Sequence, residues 1–103
     1  MNDMNIYTFG KILSEIKLED IEQSEHFIER DRVRLRMGLE NIYVFINGNT
    51  PVGILKQSTG KFKIIYEYSK EYDLSIIFSV RQNNPIKLVL VTCLKEFSRD
   101  RIR

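Results

Sequence analysis

The sequence has one cysteine, one histidine, two prolines and no apolar run near the roughly 18 residues that span a bilayer. The lone Cys93 excludes an internal disulfide and any zinc site built on paired cysteines. With His26 as the only imidazole, a metal site would need carboxylates, and no spaced carboxylate cluster stands out. Neither a metal nor any other cofactor is therefore expected. The opening MNDMNIYTFG lacks the basic n-region and long apolar h-region of a secretory signal, so the expected address is cytoplasmic, with no membrane partner. Gly48, Gly53 and Gly60 do not form a phosphate-binding glycine motif. Internal repeats and low-complexity segments are also missing.

What is present suits one globular domain over residues 1–103, with 43% hydrophobic and 29% charged residues. The net charge of +2 hides an asymmetry. Residues 1–25 carry six acids against Lys11 and Lys17, a net of −4, and the remainder carries a net of +6. A positive main body is compatible with an anionic partner, and equally with a solvated surface of mixed charge.

Phe9, Ile12, Leu13 and Ile16 follow the i, i+3, i+4, i+7 pattern of an amphipathic helix, predicted over Thr8 to Lys17 with Thr8 as its cap. Leu18 and Ile21 can extend this helix, or Ile21-Glu22-Gln23 can form a short extended link; a break near Asp20 to Gln23 is the preferred expectation. A second helix is predicted from Glu25 to Met37, capped by Ser24 and stopped by Gly38. A third covers Leu39 to Asn47, with Leu39, Ile42, Tyr43 and Ile46 on one face; its β-branched residues keep a strand open as the alternative.

From Pro51 the period changes to two. Strands are predicted at Pro51–Gln57, Lys61–Ser69, Tyr72–Arg81 and Ile86–Leu94, joined by turn signals at Ser58-Thr59-Gly60 and Gln82-Asn83-Asn84-Pro85. The last run is apolar on both faces apart from Lys87 and Thr92, as a doubly covered strand would be. The expected fold class is α+β, with N-terminal helices packed on an antiparallel meander of about four strands.

The stretch SEHFIERDRVRLR holds the pattern most suggestive of chemistry. His26, Arg30 and Arg34 recur at four-residue intervals, which places them along one stripe of a helix. Such a stripe suits a phosphate, above all near a helix start, where free N–H groups and the dipole favour an anion. These are also the parts that metal-independent RNA cleavage requires. The 2′-OH must lose a proton, the 5′-oxygen must gain one, and charge on the phosphorus must be neutralised. His26 can move the proton, and the two guanidinium groups can hold the phosphate in forked hydrogen bonds. The plainer reading is a histidine on an exposed, charged helix.

Thr92 interrupts the apolar last strand with a hydroxyl, which is either satisfied in the core or turned toward the same phosphate. Tyr66 and Tyr68 are candidates for base stacking or for the core. Lys56, Lys61, Lys63 and Arg81 can guide an RNA backbone, or form a solvated sheet face. Cys93 reads as a buried, inert thiol.

The segment H-F-I-E-R-D-R-V-R (His26 to Arg34), a helix after Gly38, and a meander ending in L-V-L-V-T-C (Leu88 to Cys93) together resemble the barnase, EndoU, colicin and RelE-like ribonuclease superfold. The likeness is to its branches with a His-x3-Arg-x3-Arg helix and a hydrophobic-Thr-hydrophobic last strand, and it covers residues 21–96. It implies one or two helices on a curved antiparallel sheet and a toxin-like, metal-independent endoribonuclease held in check by an inhibitory, antitoxin-like protein. It also implies His26, Arg30, Arg34 and Thr92 as active-site residues. Two features depart from that pattern: the glycine after the arginines is delayed to Gly38, and the segment before the histidine is less clearly a strand. A non-catalytic RNA- or protein-binding module of the same fold is the alternative, and a purely structural or oligomerising protein is a third reading.

Overall fold

The structure, a computed structural model, describes residues 4–31, 37–83 and 85–97. Helix α1 spans Ile6–Glu15, strand β1 Ile21–Gln23, helix α2 Glu25–Arg30 and helix α3 Gly38–Gly48. Strands β2 (Gly53–Ser58), β3 (Lys61–Glu67), β4 (Tyr72–Asn83) and β5 (Ile86–Phe97) follow, and a single 3-10 turn at Leu18–Asp20 precedes β1.

The expected apolar face of α1 is the face that packs. Phe9 and Leu13 are buried, and the Phe9 ring stacks on Phe62 of β3 at 4.2 Å between centroids, with Phe78 of β4 tilted beside it at 6.4 Å. The cap lies earlier than Thr8: Asn5 accepts a 2.8 Å hydrogen bond from the Thr8 N–H through its side chain. Asparagine at that place satisfies an orphan donor that Thr8 cannot reach from inside the first turn.

The sheet has five strands in the order β1-β5-β4-β3-β2, one more than the expected meander. Residues 53 to 97 form the predicted antiparallel meander. The addition is the Ile21-Glu22-Gln23 link, which lies parallel to Leu88-Val89-Leu90 and closes that side of β5. Three residues are too short for alternation to reveal a strand, and only the distant partner makes them one.

Helix α3 buries Ile42 and Ile46, places Phe45 edge-on to Tyr66 at 5.4 Å, and sends the Tyr43 hydroxyl to the Ile16 carbonyl at 3.1 Å. Gly38 is the first residue of this helix. The Asp31 carboxylate accepts from the Met37 and Gly38 N–H groups, both at 2.8 Å, and Gly38 has a φ of 77°, a region that disfavours a side chain. The expected run of the second helix to Met37 crosses residues 32–36, which lie outside the described residues.

Register sorts the two faces of the sheet. Phe62, Phe78 and Leu90 lie in one cross-strand row and Ile64, Ile76 and Cys93 in another; both rows are buried, on the face that α1 and α3 cover. The opposite face carries the rows Lys63-Ile77-Thr92, Ile65-Ser75-Leu94 and Glu67-Asp73-Glu96.

Candidate functional site

Helix α2 is held to the sheet by one serine. The Ser24 N–H donates to the Leu90 carbonyl at 3.1 Å, and its hydroxyl donates to the Val91 carbonyl at 3.0 Å while accepting from the Phe27 N–H at 3.0 Å. The acceptor is no ordinary ladder residue. Phe78 faces Leu90 and Ile77 faces Thr92, so Val91 is the extra residue of a β-bulge. The bulge offers a carbonyl, Ser24 takes it, and the buried Phe27 beside it anchors the helix in the core.

On this short helix His26 is exposed, and Arg30, one turn later, is half-buried. The spacing that marks them in the sequence therefore brings them to one accessible side of α2. Arg34 lies outside the described residues. Thr92 follows the bulge directly, and its pairing with Ile77 puts its side chain on the sheet face opposite Cys93. Its hydroxyl is buried with no hydrogen-bond partner among the described residues. The bulge that receives α2 thus has Thr92 next to it in the chain, with the side chain directed to the other face of the sheet.

The candidate RNA-contacting residues fall into two groups. Lys63 pairs with Glu96 (3.2 Å) and Arg81 with Glu22 (2.7 Å), so each cation has a carboxylate within the fold. Lys56 is exposed and Lys61 half-buried. Tyr66 is buried on the helical face, with its hydroxyl unpartnered among the described residues. Tyr68 is exposed and has the Lys95 ammonium 5.5 Å from its ring centroid. Of the two tyrosines, Tyr68 is the one with ring surface open to a base.

The Cys93 thiol and the Glu96 carboxyl are among the titrating groups displaced from their ordinary ranges. Burial, with the Asp31 carboxylate adding to it, pushes the Cys93 thiol up to about 12, and a neutral thiol is a poor nucleophile. The Glu96 carboxyl is held below the usual range by the Ser75 hydroxyl first and by Lys63 as well, against an opposing effect of burial. Among the described residues no three His, Cys, Asp or Glu side chains converge as a metal site requires, and no helix is long and apolar enough to cross a membrane.

Sequence reasoning missed Asp31, the Val91 bulge and the polar row of the outer face. Asp73 and Ser75 are buried there, although alternation along β4 assigns them to the exposed side. The one legible signal was the acid at Asp31, seven residues before a helix that lacks a cap of its own.

A family model, that of the MJ0788 family, matches residues 7–78. The matched segment runs from α1 into β4; it contains His26, Arg30 and Tyr66 and stops before β5, which carries Thr92. No curated protein and no solved structure matches the chain.

Proposed function

The chain belongs to the MJ0788 family, and from the geometry of α2 we propose that it is an RNA-binding module that meets a phosphate with His26 and Arg30. The observation that carries this reading is their placement: two groups able to donate to a phosphate, one turn apart on an accessible side of a helix that Ser24 fixes to the sheet. The net +6 of residues 26–103 favours an anionic partner, and the open Tyr68 ring offers a stacking platform for an unpaired base. Binding needs nothing from Thr92, whose side chain lies on the other face of the sheet.

Metal-independent RNA cleavage by a toxin-like enzyme, with an inhibitory protein as its partner, is the second reading. The exposed imidazole of His26 favours it, since general acid–base catalysis needs an accessible side chain within reach of the reacting oxygens. One experiment separates the two. A labelled single-stranded RNA is titrated with protein in chelator over a range of salt, with His26→Ala and Arg30→Ala beside the natural chain, and the RNA ends are analysed afterwards. The proposal expects salt-sensitive binding, intact RNA, and a log-log salt slope reduced by about 1 in Arg30→Ala. Cleavage to 2′,3′-cyclic phosphate ends that disappears in His26→Ala would establish the enzyme instead. RNA that stays unbound at low salt would remove both.

A further inference from the structure

A group of aromatic rings lies together at one end of the sheet. Tyr68 and Tyr72 flank the turn from β3 to β4, tied by a 3.1 Å hydrogen bond from the Tyr68 N–H to the Tyr72 carbonyl. Phe97 of β5 is the register partner of Tyr72, and the two rings stack at 4.9 Å between centroids. Phe45 of α3 stands beside Tyr68 at 5.9 Å. Tyr68 is 44% exposed and Phe97 48%, whereas the rings of the core between α1 and the sheet are buried. Large apolar groups left open side by side mark a surface that meets something.

Lys95 is the cation among these rings. Its ammonium lies 4.7 Å from the Tyr72 centroid and 5.5 Å from that of Tyr68. Ring faces attract an ammonium and so limit the positions of its long side chain. Alternation keeps carboxylates away from it: Lys95 pairs with Leu74 on the helical side of the sheet, while Glu67, Asp73 and Glu96 form a row on the opposite face. Lys70 and Glu71, in the turn between the tyrosines, add no net charge.

These features select an occupant. A wholly apolar partner would cover the ammonium without giving it an acceptor, which is costly, and a cationic one is repelled by it. What fits brings flat apolar groups and an anion in alternation. Single-stranded RNA has that composition, because each unpaired base has a face to stack and a phosphate joins it to the next. In a duplex those faces are covered by neighbouring base pairs. We infer that Tyr68 and Phe97 are stacking platforms for two unpaired bases of a single-stranded RNA, with Lys95 donating to a phosphate between them. The inference rests on the RNA-binding reading of α2 and extends it along β5. Val91 of that strand holds Ser24, and Lys95 lies four residues further on, roughly 13 Å at about 3.3 Å per residue.

The test gives the full chain three probes: a labelled single-stranded RNA, the same strand annealed to its complement, and phosphatidylserine-containing vesicles. The single strand is expected to bind more tightly than the duplex. Tyr68→Leu and Phe97→Leu keep an apolar side chain and remove the ring, so each should weaken single-strand binding at least about fivefold and leave duplex binding unchanged. Tyr68→Phe keeps the ring and should retain full affinity. Lys95→Gln should lower the log-log salt slope by about 1. RNA left unbound by the natural chain at low salt would overturn this inference together with the reading of α2. Binding that Arg30→Ala weakens, and that neither leucine variant changes, would overturn the inference alone. Equal affinity for single strand and duplex, or rings that serve vesicle binding and not RNA binding, would overturn it as well.

Discussion

Ser24 does three jobs with one side chain and its own N–H: it caps α2, binds the bulge carbonyl of Val91 and continues the link from β1 to Leu90. Serine fits because its hydroxyl donates and accepts at once. Ser24→Ala is expected to destabilise the fold by about 1–2 kcal/mol in denaturant unfolding, the upper range for a lost cap. A loss of only a few tenths would show that neither the cap nor the Val91 bond contributes appreciably to the fold. The cap itself was legible in the sequence, since serine before a run of helix formers needs no tertiary information. The Val91 bond was not, because its acceptor lies 67 residues away and exists only through a bulge. Thr92 was legible in the same partial way: the sequence marks it as a polar interruption, and only the register tells which face receives it.

Among the elements, α1 and the meander were the most readable, because each follows one period over enough residues to identify it. The Phe9 ring, stacked on Phe62, shows how far such a reading extends: amphipathicity places Phe9 inward, but the partner comes from pairing between strands. Phe9→Ala is expected to cost about 3–5 kcal/mol, measured by thermal or denaturant unfolding, because a whole ring leaves a filled core. A cost under 1 kcal/mol would mean that α1 is peripheral to the fold. β1 was hidden for the opposite reason, having three residues and one partner. Helix α3 begins with a glycine at positive φ and borrows its cap from Asp31, a contact that local rules do not anticipate.

At the scale of the whole fold, three ion pairs among the described residues join charges far apart in sequence. Glu22 meets Arg81 and Asp20 meets Lys87, so two acids of the N-terminal quarter are answered by cations of the sheet, and Glu96 meets Lys63 within the sheet. The asymmetry seen along the chain is thereby partly folded away. Glu96 gives this arrangement a pH signature. Its carboxyl is held below the ordinary range in the folded state, so its contribution is present above about pH 4.3, the unfolded value, and is lost as pH falls through the folded one. Stability measured from pH 6 downward should decline in that acid window, and Glu96→Gln should flatten the decline. Identical slopes for the two proteins would show that the Ser75 and Lys63 contacts do not favour the charged form.

The parallel pairing of β1 with β5 also sets a schedule. On a ribosome, residues 21–23 emerge long before residues 88–90, and a strand of three residues has nothing to pair with in the interval. Hairpins between β2, β3 and β4 can form from neighbouring segments as they appear, while closure of the first strand waits for a loop of more than sixty residues. Phe27, which follows that strand and belongs in the core, waits with it. A nascent chain halted before Ile86 would therefore present an aromatic surface that the finished protein hides, and the interval before β5 arrives is when a chaperone has the most to hold.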